Sequence, residues 1–405
     1  MRSVEASAIV TPPATGTPQV KGWCPGALRP MFSGDGLVLR VRPHGGRLSQ
    51  AQAAGIARLA AQHGNGLLDL TSRANLQIRG VHVGSLPALV EGLRALGLLD
   101  ASPEIEARRN ILVNPFAEFG DGTQALAAEL AHALGMTDAP ALPEKFGFAV
   151  DGGDLPVLRN SSADIRIERA PGGFIVSADG FATGAWVTKA DAVTAALKLA
   201  RWFLAATAGC NPRGRMARLA PHAKLPARFQ TVALPTPSAA TPRVGPTANG
   251  WLVGIEFGQL SADTLATLST LGDLRITPWR LLLIEDVHQT PDVGGLITDA
   301  GDPRLRVVAC IGAPGCHQAH TATRDLAHAV APLVPLGSRL HISGCAKGCA
   351  HPKDALTLVG TPSGINLVRH GKASSIPDVQ ALAPDAIASY LTPLFKNGTP
   401  HAPSI

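Results

Sequence analysis

VACIGAPGCHQAH (308–320) and HISGCAKGCAHPK (341–353) decide how this chain is read. They hold four of its six cysteines as two close pairs, Cys310-x5-Cys316 and Cys345-x3-Cys349. Thiolates are soft ligands suited to iron–sulfur clusters or zinc. On a helical turn Cys345 and Cys349 would share a face. Both pairs lie among small residues: Gly312, Ala313 and Gly315, then Gly344, Ala346 and Gly348. Glycine lets a backbone approach an inorganic core and leaves its amides free to meet the sulfurs. A structural zinc site uses tighter pairs, so the second spacing fits zinc while the first is wide for it. The pattern points to a 4Fe–4S cluster on Cys310, Cys316, Cys345 and Cys349. Zinc and buried core thiols are the blander alternatives.

The chain has 405 residues, 45% hydrophobic and 16% charged, enough for a core and more than one domain. Its net charge is +6 and its pI about 9.2. No Lys/Arg run is interleaved with aromatic residues, which argues against a nucleic-acid partner and for a small acidic ligand. No segment is long and apolar enough to span a membrane. Residues 1–21 lack the apolar core of a signal peptide and read as a disordered tail. Thiols arranged for a metal suit the reducing cytoplasm.

Working outward, GWCPGALRPM (22–31) is broken by Gly and Pro into a loop bearing a lone Cys24. GLVLRVRPHGG (36–46) alternates like a half-buried strand, with Leu37, Leu39 and Val41 on one face and Val38, Arg40 and Arg42 on the other. SQAQAAGIARLAAQHG (49–64) has helical spacing with Ser49 as N-cap. LLDLTSRANLQIRGV (67–81) reads as a second strand whose odd positions Arg73, Asn75, Gln77 and Arg79 share one face. LPALVEGLRALGL (86–98) reads as a second helix.

The unit returns. DLRITPWRLLLIEDV (273–287) matches LLDLTSRANLQIRGV at an offset of 206 (Thr71 to Thr277), and GWLVGIEF (250–257) matches the first strand at 215 (Arg40 to Ile255). In the second copy Arg42 becomes Phe257, Arg73 becomes Trp279, Asn75 becomes Leu281, Gln77 becomes Leu283 and Arg79 becomes Glu285. The first copy thus keeps a face of cations and amides that is costly to bury unpaired. Arginine forks suit carboxylates, so this face is read as a ligand floor rather than a solvated surface.

Each copy precedes a larger α/β segment. The expected layout is a tail (1–21), half-repeat one (22–100), an α/β domain (101–233), a linker (234–249), half-repeat two (250–300) and a second α/β domain carrying the cysteines (301–405). RRNILVNP (108–115) and RVVACIGAPGC occupy equivalent places, as do KFGFAVDGG (145–153) and LHISGC. Only the second copy has cysteines there, which puts the expected site at the seam of the two halves.

C-x5-C followed by C-x3-C resembles the cluster signature of the sulfite and nitrite reductase superfamily. So do the G-x-x-x-R-x-R strand, T-x-R-x-x-x-Q (Thr71, Arg73, Gln77) and Arg109-Asn110. The resemblance covers nearly all of the chain after residue 22. It implies an α+β, pseudo-twofold duplicated fold with two ferredoxin-like half-units and two larger α/β domains. It also implies that Cys349 is the ligand that bridges cluster and sirohaem in the reductases. Arg40 or Arg42, Arg109 and Lys145 match the anion-binding residues of sulfite reductases, but Gly147 stands where the second lysine belongs. The opening GWCPGALRPM and KFGF resemble instead the precorrin-3B synthases, the oxygen-dependent branch. That resemblance implies hydroxylation of precorrin-3A by O₂ with γ-lactone formation, in cobalamin biosynthesis. It assigns Arg40, Arg42, Arg73, Asn75, Gln77 and Arg79 to substrate binding and Arg109 and Lys145 to catalysis. It further implies a mononuclear non-haem iron; and because no G-x-G-x-x-G follows a predicted strand into a helix, the electron donor is expected to be external. His317, His320, His341 and His351 are the histidines nearest the cysteines. Two alternatives stay open: a sirohaem-dependent sulfite or nitrite reductase, and a four-thiolate tetrapyrrole carrier without activity.

Overall fold

The structure, a computed structural model, describes residues 24–154, 156–210, 214–234 and 242–396. The tail expected over 1–21 and the middle of the expected linker lie outside them. Four sheets organise the described residues.

The first sheet runs Met31–Ser33, Gly36–Val41, Leu76–Val81, Leu67–Leu70 and Gln259–Ser261, all antiparallel. Alternation places Leu37, Leu39 and Val41 in the core, as expected, but the strand is not half-buried, because Val38, Arg40 and Arg42 on its other face are covered as well. Helix Gln50–His63 packs beneath. Ser49 caps it, accepting from Gln52 N–H while the Gln52 side chain accepts from Ser49 N–H. The stretch 67–81 is not one strand but a hairpin. The Thr71 hydroxyl accepts from the Arg73 and Asn75 amides, and Ala74 turns the chain at φ 52°. Arg73 and Asn75 therefore leave the sheet face on which Gln77 stands. The polar row that crosses this sheet is instead Arg40, Gln77, Asp69 and Gln259, paired in register.

The second copy repeats the hairpin. Thr277 accepts from the Trp279 and Leu281 amides, and Arg280 takes the turn at φ 62°. Its sheet runs Gly245–Thr247, Gly250–Ile255, Leu281–Glu285, Leu274–Ile276 and Arg47–Leu48, with Leu296–Ile297 beside Gly250–Ile255. Each sheet thus takes its last strand from the other copy. The two copies share one core, in which Leu39, Ile56 and Ile78 meet Val253, Leu265 and Ile284.

The offset of 215 for the first strand is corrected by this geometry. The turn His44–Gly46 matches Glu256–Gly258, with positive φ at Gly45 and Phe257 and again at Gly46 and Gly258. Ser49 matches Ser261 as N-cap. That offset is 212, so Arg40 corresponds to Leu252 and Arg42 to Gly254. The missing residues come from the helix, which has 14 residues in copy one and 7 in copy two.

Both α/β segments have one topology. Ile111–Val113, Phe148–Asp151 and Ile165–Ala170 are parallel, then Gly173–Ala178, Thr183–Val187 and Val232–Ala233 continue antiparallel. Val307–Ala309, Leu340–Ser343 and Ala355–Thr361 are likewise parallel, followed by antiparallel Gly364–Gly371 and Val379–Leu382. Helices Thr123–Gly135 and Thr323–Val330 make the equivalent crossovers. Among the described residues no helix is long and apolar enough to cross a membrane.

Candidate functional site

Parallel strands present their carboxyl ends as binding crevices, and the cysteines stand there. Cys310 follows Val307–Ala309, and Cys345 follows Leu340–Ser343 by two residues. The segment after Cys345 is a turn rather than a helix, with Gly348 at φ 62°. The Cys310 sulfur accepts from the Gly344 amide at 3.2 Å, and the Thr323 hydroxyl donates to the Cys310 carbonyl. Gly312 lies at φ 67°, and a Cβ there would fall 2.5 Å from the Thr323 hydroxyl. The Cys349 thiol is exposed on its loop, yet crowding by the surrounding atoms pushes it up, with Cys310, Cys345 and Cys316 adding to the rise against Lys347. Cys345 is also raised, first by burial and further by Cys316 and Cys310. Cys345 and Cys349 thus each feel the sulfurs of Cys310 and Cys316. A metal core that binds thiolates would remove both the repulsion and the protons. Four soft donors, an amide aimed at sulfur and small flanking residues fit a 4Fe–4S group.

The cationic side is built on the first sheet. Arg40 is 8% exposed, and its Nε and Nη1 have no hydrogen-bond partner. Arg73 reaches back from the hairpin turn to donate to the Lys145 carbonyl at 3.0 Å. Burial, then Arg215 and Arg40, push its guanidinium down to about 10, while Cys24 and Asp164 oppose them. The Asn110 amide holds the carbonyls of Glu144 and Phe146, so the backbone on both sides of Lys145 is fixed. A Cβ on Gly147 would stand 3.5 Å from Arg73 Nη1. Asn75 is buried and Gln77 half-buried.

Three expected ligand or catalytic residues are committed to acids of the chain. Arg42 pairs with Glu106 at 2.8 Å and donates to the Pro25 carbonyl. Arg79 pairs with Asp35 at 2.7 Å and Asp69 at 3.1 Å. Arg109 grips Asp100 with two bonds of 2.7 and 2.8 Å and also holds the Arg42 carbonyl. Those carboxylates were not anticipated from the sequence, where nothing but their type marks them. Arg40, Arg73 and Lys145 have no such acidic partner among the described residues.

The two sides meet. The Gly315 carbonyl, one residue before Cys316, accepts from Arg79 Nη2, the Ser33 hydroxyl and the Gly34 amide. Arg324, on the crossover helix of the cysteine domain, pairs with Asp69 at 2.6 Å. The cysteine loop is thus fastened to the edge of the cationic sheet. His317 and His320 are exposed. His341 is fully buried, with Nδ1 at 3.3 Å from the Thr357 hydroxyl, and burial, then His351 and Arg280, pushes it down to about 3. Among the described residues no group of three or more His, Cys, Asp or Glu side chains is arranged to hold a single ion. Cys24 is half-buried and borders a cavity of about 270 Å³ with Arg42, Glu106 and Glu144; Cys210 is exposed.

The pseudo-twofold mate of this site has lost its chemistry. Asn114 stands at the place of Cys310, each bonding its amide to the next parallel strand, and Gly153 stands at that of Cys345. In the mate of the polar row Leu252 and Leu283 stand for Arg40 and Gln77, packed with Leu281, Val244, Phe116 and Leu305, and Arg275 stands for Asp69.

Residues 29–96 match the nitrite/sulfite reductase ferredoxin-like half domain. The chain is 32% identical over 398 residues to a precorrin-3B synthase from Sinorhizobium sp, covering 88% of this chain and 84% of that protein. It is 25% identical over 399 residues to a ferredoxin–nitrite reductase from Synechococcus elongatus, covering 81% and 76%. Among solved structures, the Mycobacterium tuberculosis NirA protein superposes with a TM-score of 0.62 at 17% identity, over 89% of this chain and 80% of that one.

Proposed function

This chain belongs to the precorrin-3B synthase family, and we propose that it converts precorrin-3A to precorrin-3B in cobalamin biosynthesis, using O₂ for hydroxylation and closing a γ-lactone. It is an oxidoreductase of the nitrite and sulfite reductase superfamily. The observation that carries the reading is Arg40, a buried guanidinium with unmet donors on the polar row whose Asp69 pairs with Arg324 of the cysteine domain. A buried unpaired cation is unfavourable by several kcal/mol, and a ligand carboxylate would relieve it. Precorrins carry many.

Cys310, Cys316, Cys345 and Cys349 would hold a 4Fe–4S cluster, which supplies single electrons. Arg40 and Arg73 bind ring carboxylates as forked donors. Gln77 and Asn75 add neutral donors at the rim. Lys145, on a backbone fixed by Asn110 and Arg73, holds the carboxylate that becomes the lactone. Arg42, Arg79 and Arg109 keep the floor rigid through Glu106, Asp69 and Asp100. A mononuclear non-haem iron belongs to the proposal as a second centre, with no ligands assigned to it. The electron donor is external. The reaction takes place in the cytoplasm, where free thiols stay reduced.

A sirohaem-dependent reductase is the second reading, favoured by the match to the Synechococcus elongatus nitrite reductase. One experiment separates them. Anaerobically purified protein is assayed for iron, sulfide and visible absorption, before and after precorrin-3A and air. Cluster iron without sirohaem bands, and a product heavier by one oxygen, support the synthase. Sirohaem bands with no reaction on precorrin-3A overturn it.

A further inference from the structure

We propose that Arg280 is an electrostatic positioning residue, placed against the cysteine loops so that its charge favours the reduced state of the iron–sulfur centre. The inference rests on the four-cysteine reading above. Arg280 occupies a left-handed turn position at φ 62°, and its repeat mate is Ala74 at φ 52°. Both turns are closed by a threonine hydroxyl. Left-handed backbone is unfavourable for any L residue, by roughly 1–2 kcal/mol, and Ala74 shows that the turn needs no long side chain. The guanidinium must therefore serve something outside the turn.

Its stem crosses Gly258, where a Cβ would lie 2.7 Å from the Arg280 Cδ. Its Nη2 donates at 3.3 Å to the carbonyl of Ala350, the residue after Cys349. Arg280 forms no ion pair among the described residues. Asp69, the nearby carboxylate, is already held by Arg79, Arg324 and Gln259. Burial, then Arg324, pushes the Arg280 guanidinium down to about 10, while Asp69 and Cys310 pull the other way. The bond to Ala350 sets this charge one residue from Cys349. Cation and thiolates also occur together: the half with Asn114 and Gly153 in place of cysteines has Ala74 in place of Arg280.

A cluster ligated by four thiolates gains one negative charge when an external donor adds one electron. A fixed cation in a poorly screened site stabilises the more negative state more strongly. Arg280 raises the reduction potential in this way, with no proton transferred.

The test uses the full chain, reconstituted anaerobically, as wild type, Arg280→Ala, Arg280→Gln and Arg280→Lys. Iron and sulfide content fix the loading, and a mediated titration followed by paramagnetic resonance reads the potential. Arg280→Ala and Arg280→Gln should each lower the one-electron reduction equilibrium tenfold or more, about 59 mV more negative. Arg280→Lys should stay within about threefold of wild type. Should Arg280→Ala take up no cluster, Arg280→Gln decides, because it keeps a polar side chain across Gly258 while losing the charge. An unchanged potential in the loaded Gln variant overturns the proposal. A wild type that takes up no cluster overturns the four-cysteine reading, and this inference with it.

Discussion

Replacing Arg40 with methionine should move stability and affinity in opposite directions. The side chain is buried on the polar row, and two of its nitrogens make no hydrogen bond. In the ligand-free protein its removal relieves a desolvated charge, so Arg40→Met should unfold at higher urea, by about 1 kcal/mol or more. Towards a polycarboxylate tetrapyrrole it should lose a charge-assisted contact of about 1.5–3 kcal/mol, or roughly 10- to 150-fold in Kd. Arg42→Met is the contrast. It strips the partner from Glu106, whose side chain is 5% exposed. Leaving a buried charge unpaired destabilises by about 3–5 kcal/mol, tempered by the Ala27 and Leu28 amides that Glu106 still accepts from. Urea unfolding gives the first quantity. Anaerobic calorimetric titration with precorrin-3A, or with a stable porphyrin octacarboxylate, gives the second. An Arg40→Met protein that is less stable and binds as tightly as wild type would refute the reasoning, because Arg40 would then be structural.

Cys349→Ala should cut iron and sulfide content sharply and bleach the visible shoulder; undiminished cluster content would remove Cys349 from the ligand set. Gly312→Ala should lower cluster occupancy without touching a ligand, since its Cβ meets the Thr323 hydroxyl at 2.5 Å in a left-handed residue; elemental analysis checks this. His341 has a folded value near 3, below its usual 6.5, so the unfolded chain binds its proton first. Its contribution is complete above pH 6.5 and is lost as pH falls towards 3, at up to about 1.4 kcal/mol per pH unit. Urea unfolding of wild type and His341→Asn between pH 6.5 and 5 should therefore differ in slope, and parallel curves would show that His341 does not titrate this way.

What was legible in the sequence was local and periodic. Alternation from Leu37 to Val41 and the capping signal at Ser49 each depend on neighbours a few residues away, and both elements formed as expected. The turn at Thr71–Asn75 was hidden because a threonine hydroxyl closes it and alanine takes the positive φ, with neither Gly nor Pro to mark it. The register of the first strand slipped by three residues for a related reason. Letter similarity favoured GLVLRVR on GWLVGIEF, while the backbone signature that fixes the match, two successive positive φ values, falls on Gly-Gly in one copy and Phe-Gly in the other. Glu106 reaches Arg42 from a distant segment, and Asp69 meets Arg79 only across the hairpin turn that the sequence hid, so no spacing rule announces these partners. An alternating cationic strand reads as a ligand floor until its partners are placed in space.

The duplication explains why one cationic face survives. Asp69 and Arg79 form a pair across neighbouring strands, and their repeat mates are Arg275 and Glu285, which form the same pair with the charges exchanged at 2.6 Å. Reversing both signs conserves the ion pair and therefore the hairpin, so sheet geometry places no demand on which copy carries which charge. The demand comes from what lies above. In copy one, Arg79 extends past its pair to the Gly315 carbonyl at the cysteine loop, which a glutamate could not do because it has no donor. In copy two, Arg275 turns to the Pro115 carbonyl of the loop that begins at Asn114, and leucines close the remaining space. A protein with two equivalent faces open to a polyanion would bury two unpaired cationic rows when empty. Filling one with Leu252 and Leu283 leaves Arg40 as the one unpaired cation of the polar row among the described residues.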